Sequence, residues 1–174
     1  YRQCPKRLWL EIHRRDLIDL AAGSQSAMAQ GHEVGAIARK IYDPEECGHF
    51  LDLEILGFRD LLSQSKALID EANAPLFEAG FAANGALALA DILLPVNDGE
   101  DRTWRMVEVK SSTSVKDYHR DDAAIQAYVA RAAGVPLQSI AVAHIDNSWI
   151  YPGNGDYRGL LVELDLTSEA FERE

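Results

Sequence analysis

A change of pattern at Pro75 constrains this chain more than any other feature. Before it, apolar residues recur every three or four positions, as on helices packed along one side; after it, they fall in short runs broken by turn residues, as in strands. The first part predicts helices over residues 2–20, 26–42 and 58–72, ended by Asp43-Pro44 and by the 73–75 break. In the second of them Gly31 and Gly35 stand four apart, which predicts close approach of a neighbouring element. The second part predicts strands over 76–82, 87–96 and 103–110, joined by Asn84-Gly85 and by the turn-rich residues 97–101. A helix over 115–133, stopped by Gly134 and Pro136, then leads to a strand over 139–145. A final hairpin is expected from 149–151 and 159–166 around Pro152-Gly153-Asn154-Gly155-Asp156. The order strand, strand, strand, helix, strand after leading helices predicts an α/β fold: a central mixed sheet flanked by helices.

At 174 residues the chain is long enough for one domain with a proper core. Its opening at Tyr1 rather than at Met predicts that it is part of a longer protein. No apolar run approaches the roughly 20 residues that cross a bilayer, so no membrane role is expected. With 17 Lys and Arg against 28 Asp and Glu, the formal net charge is −11, which disfavours binding nucleic acid through bulk positive charge. Any affinity for nucleic acid is then local, or is supplied by a partner subunit or a further domain. Cys4 and Cys47 are too few for a disulfide framework, and a reducing cytoplasm is the expected compartment.

Three ionisable residues interrupt the apolar strands. Asp91 stands in Leu87-Ala88-Leu89-Ala90-Asp91-Ile92-Leu93-Leu94, and Glu108 and Lys110 stand in Met106-Val107-Glu108-Val109-Lys110, where a lone buried charge is costly. Strand alternation puts Glu108 and Lys110 on one face. Pairing of the two strands across the 97–101 turn brings Asp91 near both. Two carboxylates and an ammonium suit one chemistry: hard oxygen ligands hold Mg²⁺ or Mn²⁺, the metal polarises a phosphodiester and lowers the pKa of a bound water, and the ammonium offsets charge growing on phosphorus.

Ala90-Asp91, sixteen intervening residues, and Glu108-Val109-Lys110, followed by a helix carrying Gln126, resemble the PD-(D/E)xK nuclease superfamily, with its RecB-type and CRISPR-associated members the nearest likeness. Cys4-Pro5-Lys6-Arg7-Leu8-Trp9-Leu10, Gly31-His32-Glu33-Val34-Gly35, Phe77-Glu78-Ala79 and Glu108-Val109-Lys110-Ser111-Ser112 extend the resemblance over nearly the whole chain. It implies a restriction-endonuclease-like fold and a Mg²⁺- or Mn²⁺-dependent DNA nuclease, an exonuclease or flap- and end-processing enzyme acting on single-stranded DNA or duplex ends in repair, recombination or defence. It implies Asp91 and Glu108 as metal ligands, the Val109 carbonyl completing the coordination, Glu78 as a further acidic ligand, Lys110 as the catalytic lysine, and Gln126 as the group orienting that lysine or a phosphate. Tyr128 is carried over as a nucleic-acid contact.

The sequence departs from the pattern in four places, the first being that Tyr128 follows Gln126 by two residues where the family's tyrosine follows by three or four. Ala90 replaces the proline of the superfamily's name, Gly35 stands where RecB-type relatives place a metal-binding histidine, and no cysteine follows Cys47 to complete an iron–sulfur set, so no iron–sulfur cluster is expected. Lys116, His119 and Arg120, opening the Gln126 helix, are candidate phosphate contacts, against the simpler reading of a solvated helix face. Lys6, Arg7, Arg14 and Arg15 form a second basic strip with the same two readings. His13, His49 and His144 lack partners at metal-ligand spacing and are set aside. Trp9, Trp104 and Trp149 are read as packing residues. Two rival functions stand beside DNA cleavage: a nuclease-like binding module without turnover, and a nuclease directed at RNA.

Overall fold

A computed structural model of the chain describes residues 9–10, 13–14, 22–98 and 101–173. Trp9, Leu10 and His13 are helical and Arg14, described and exposed, is not; the remainder of the expected helix over residues 2–20, with Lys6, Arg7 and Arg15, lies outside the described residues. The elements that follow are α1 (Ala22–Tyr42), β1 (His49–Phe50), α2 (Leu53–Glu71), β2 (Leu76–Ala83), β3 (Ala86–Asp98), β4 (Asp101–Lys110), α3 (Asp117–Ala132), β5 (Leu137–Ile145), β6 (Leu161–Asp165) and α4 (Thr167–Glu172).

The strands form one six-stranded sheet in the order β1-β2-β3-β4-β5-β6. It is mixed: β1 and β2 run parallel, β2, β3 and β4 form an antiparallel meander, β4 and β5 are parallel across the α3 crossover, and β5 and β6 are antiparallel. Both residues of the Asn84-Gly85 turn have positive φ, 52° and 76°, the geometry that two-residue hairpins favour and that Asn-Gly tolerates best. Helices cover both faces. The larger core lies between the sheet and α2, α3 and α4, with Leu61, Leu93, Trp104, Met106, Ala127 and Val142 at its centre. The smaller core, under α1, gathers Ala38 against Phe77, Ile92, Val107 and Ala143. The α/β architecture expected from the sequence is the one observed. Among the described residues, no helix is long and apolar enough to cross a membrane.

Several local expectations are corrected. The strand expected at 149–151 does not form: the Trp149 N–H bonds to the Asp146 carbonyl in a turn, and Trp149 packs with Tyr151 and Tyr157 instead. β6 pairs with β5 without that intermediate. The two-residue β1 and the short α4 carry too few residues for a periodic pattern. α2 begins five residues earlier than expected, because Asp52 caps it through the Glu54 and Ile55 N–H groups and Gly57, at φ 70°, bends it after its first turn. Gly31 and Gly35 admit no neighbouring element: nothing lies within 4 Å of where a Cβ would stand on either. The close glycine approach falls at Gly80, where a Cβ would come within 2.4 Å of Leu61.

Candidate active site

The strand alternation slips at two facing positions. On β2, Leu76 and Ala79 belong to the larger core while Phe77 belongs to the smaller, so the slip falls at Glu78, which has a positive φ of 59°. On β3, Ala90 and Leu93 belong to the larger core and Ile92 to the smaller, so the slip falls at Asp91. The β2–β3 register steps from Phe77↔Ile92 to Ala79↔Ala90 across these two residues. A positive φ on a non-glycine residue is strained, and here it accompanies a local change of facing at two opposed residues, with the register on either side unbroken, that re-aims two acidic side chains in the middle of a sheet.

The β3–β4 register reaches Ile92↔Val107, and there Asp91 takes over from the ladder: its Oδ2 accepts the Val109 N–H at 2.7 Å. A buried strand N–H finds its acceptor in a carboxylate rather than in the next carbonyl. The neighbouring Glu108 is 4% exposed, and its Oε1 accepts from Lys110 Nζ at 2.7 Å. The same ammonium donates to Asp122 Oδ2 at 2.7 Å, from α3 on the larger-core side. Glu108 Oε2 is buried with no hydrogen-bond partner.

Burial raises both carboxyls above their ordinary range. For Asp91 the desolvation outweighs the Val109 N–H, and Glu78 adds repulsion. For Glu108 the desolvation is reinforced by Asp91 and only partly offset by Lys110. Burial of Lys110 works against its charge, but Glu108 and Asp122 outweigh it and hold the ammonium above its usual range. Glu78 is raised by burial, with Arg39 pulling the other way and Glu108 and Asp52 adding to the rise. The group is short of positive charge, and its buried acids ionise reluctantly.

These residues line a cleft of about 610 Å³. Its floor holds Glu78, Asp91, Glu108, Val109 and Lys110; one wall is α1, through Gly31, His32, Gly35 and Arg39, and the other is the segment 50–54 leading into α2. The structure thus brings together Asp91, Glu108, Val109, Lys110 and Glu78. Gln126 does not line the cleft: it is buried on α3, one turn past Asp122, with Oε1 lacking a partner. The other candidate contacts lie elsewhere. Tyr128 meets the β2–β3 turn, where its hydroxyl accepts from Asn84. His119 is buried, and its Nδ1 accepts from the Lys116 N–H in the cap of α3. Lys116 is exposed at that cap, and Arg120 pairs with Glu169 of α4. Helix position alone did not separate solvent-facing, capping and interhelix roles.

Three contributors escaped the sequence reading. Asp122 left a signal, since it stands four residues before Gln126 and so shares its helix face. Arg39 stands four and eight residues after Gly35 and Gly31, on the same side of α1. Phe50 left none, because a two-residue strand has no period. No known protein family, curated protein or solved structure matches the chain.

Proposed function

We propose that the protein is a metal-dependent nuclease that hydrolyses DNA phosphodiester bonds, with Asp91, Glu108 and Lys110 at its centre. One observation carries the reading. Two carboxylates that ionise reluctantly stand side by side on the floor of an open cleft, one with a buried, unpartnered oxygen, next to an ammonium held in place from both sides. Structural ion pairs seldom leave a carboxylate oxygen buried and unused.

The donor set fits a divalent cation. Glu108 Oε2 is buried without a donor, and the Asp91 carboxyl, which takes the Val109 N–H through Oδ2, interacts with Glu108 beside it. Among the described residues no three His, Cys, Asp or Glu side chains gather as a metal cluster. Two carboxylates with a strand carbonyl, Val109 in the resemblance, still suit Mg²⁺ or Mn²⁺, which keeps waters and takes substrate phosphate oxygens for the remaining positions. A cation bound there supplies Lewis acidity toward a phosphoryl oxygen and offsets the charge of the transition state.

The residues of the chain do the rest. Asp91, fixed by the Val109 N–H, ties β3 to the β4 backbone and lines the cleft beside Glu108. Lys110 stays protonated near neutrality, so it acts as a hydrogen-bond donor and a positive charge toward a phosphate, not as a base. Asp122 keeps that ammonium aimed. Single-stranded DNA or duplex ends are the substrates that the resemblance suggests, and the net charge of −11 favours a partner subunit or further domain supplying most of the DNA affinity.

End-labelled single-stranded and duplex DNA, with an RNA of the same sequence, incubated with Mg²⁺, Mn²⁺ or EDTA, tests the reading. Metal-dependent cutting by the wild type, reduced at least about 100-fold in folded Asp91→Asn and Lys110→Ala variants, is the expected result. Cutting of RNA alone moves the reading to its RNA-directed rival. Absence of cutting on every substrate, with no metal binding in calorimetry, replaces it by the binding module without turnover.

A further inference from the structure

The cleft is acidic, yet the proposed substrate is an anion. Its lining includes Asp52, Glu54, Glu78, Asp91 and Glu108 against two permanent cations, Arg39 and Lys110. Lys110 is engaged by two carboxylates at 2.7 Å each. Arg39 is placed differently: its Cζ lies over the Phe50 ring, 4.4 Å from the centroid, on the opposite wall. Stacking uses the flat face of a guanidinium and leaves its edge, with five N–H donors in a planar fork, to bind oxygens. Phe50 itself remains 51% exposed. Along α1 the positions one and two turns before Arg39 are Gly35 and Gly31, both with open space where a Cβ would stand. The wall therefore presents His32 and two positions without a side chain, and ends at Arg39.

We infer that Arg39 and Phe50 form a nucleotide-binding subsite beside the carboxylates, in which the guanidinium edge takes a backbone phosphate and the Phe50 ring stacks an unpaired base. The inference rests on the nuclease reading and extends it, since it supplies the positive charge that the floor of the cleft lacks. An aromatic ring and an arginine together are the means by which single strands are held without regard to sequence. Gly31 and Gly35 let a sugar–phosphate backbone approach the helix closely at those two positions.

Fluorescence anisotropy with a labelled oligothymidylate, in Ca²⁺ and over a range of salt, tests it without turnover. Arg39→Ala is expected to weaken binding about 10-fold or more and to lower the salt slope by about one. Arg39→Lys keeps the salt slope but not the full affinity, because a lysine keeps the charge and loses the fork and the stack. Phe50→Ala weakens binding several-fold and leaves the salt slope unchanged. Circular dichroism melts establish that each variant is folded. Wild-type binding that Arg39→Ala and Phe50→Ala both leave unaltered overturns the subsite and spares the nuclease reading. A wild type that binds no oligonucleotide also overturns the subsite, and the cutting assay then decides the nuclease reading separately.

Discussion

Placing Glu108 in the sheet next to Asp91 gives both carboxyls raised values in the folded chain, and this has a consequence for stability. Between the ordinary carboxylate range and the raised value, the folded state holds protons that the unfolded chain has released, so stability falls as pH rises through that window. The contribution is intact below the ordinary range and is lost once pH passes the raised value. Glu108→Gln removes the larger part of this slope, and Lys110 keeps Asp122 as a partner. In EDTA the variant is expected to match the wild type near pH 4 and to be more stable by about 1 kcal/mol or more at pH 8, one pKa unit being worth that much. Urea unfolding across pH checks it, and a variant less stable than the wild type at pH 8 shows that the Lys110 pair outweighs the desolvation of Glu108.

The docking of α2 on β2 turns on two small residues. Gly80 lets Leu61 approach, and the Ser65 hydroxyl accepts the Gly80 N–H at 2.8 Å. β1 pairs with β2 only at Leu76 and Phe77, so further along that edge a helix hydroxyl does the work of a neighbouring strand. Ser65→Ala leaves that N–H buried without an acceptor and is expected to cost about 1–3 kcal/mol, seen as a lower urea midpoint at an unchanged slope. An unshifted midpoint would mean that water replaces the hydroxyl there. The Asn84-Gly85 turn was legible because its chemistry is local. Ser65 and Gly80 were not, since they stand fifteen residues apart and meet only when the helix folds back.

For the whole molecule, the excess of negative charge and the reluctant acids of the cleft have one remedy, a bound cation. Ligand binding to the folded state alone stabilises by mass action, about 2.7 kcal/mol at a hundred times the dissociation constant. Millimolar Mn²⁺ is therefore expected to raise the melting temperature of the wild type by several degrees and to leave Asp91→Asn unshifted. A wild type that melts alike in Mn²⁺ and EDTA removes the metal from the proposed function.

The sequence by itself determined the mixed sheet, most of its elements and Asp91, Glu108 and Lys110 of the floor, because each rests on local period, local turn chemistry or the high cost of a charge in an apolar strand. Asp91, Glu108 and Lys110 could be named because two adjacent strands joined by a short turn leave little freedom in how they pair. The tertiary structure alone decided the rest. It placed Asp122 against Lys110, brought Arg39 over Phe50, turned Glu78 and Asp91 out of the strand alternation, and left Gly31 and Gly35 facing open space instead of a neighbour. Each of these joins residues from elements far apart in the chain, and no period carries information about which helix face will meet which strand.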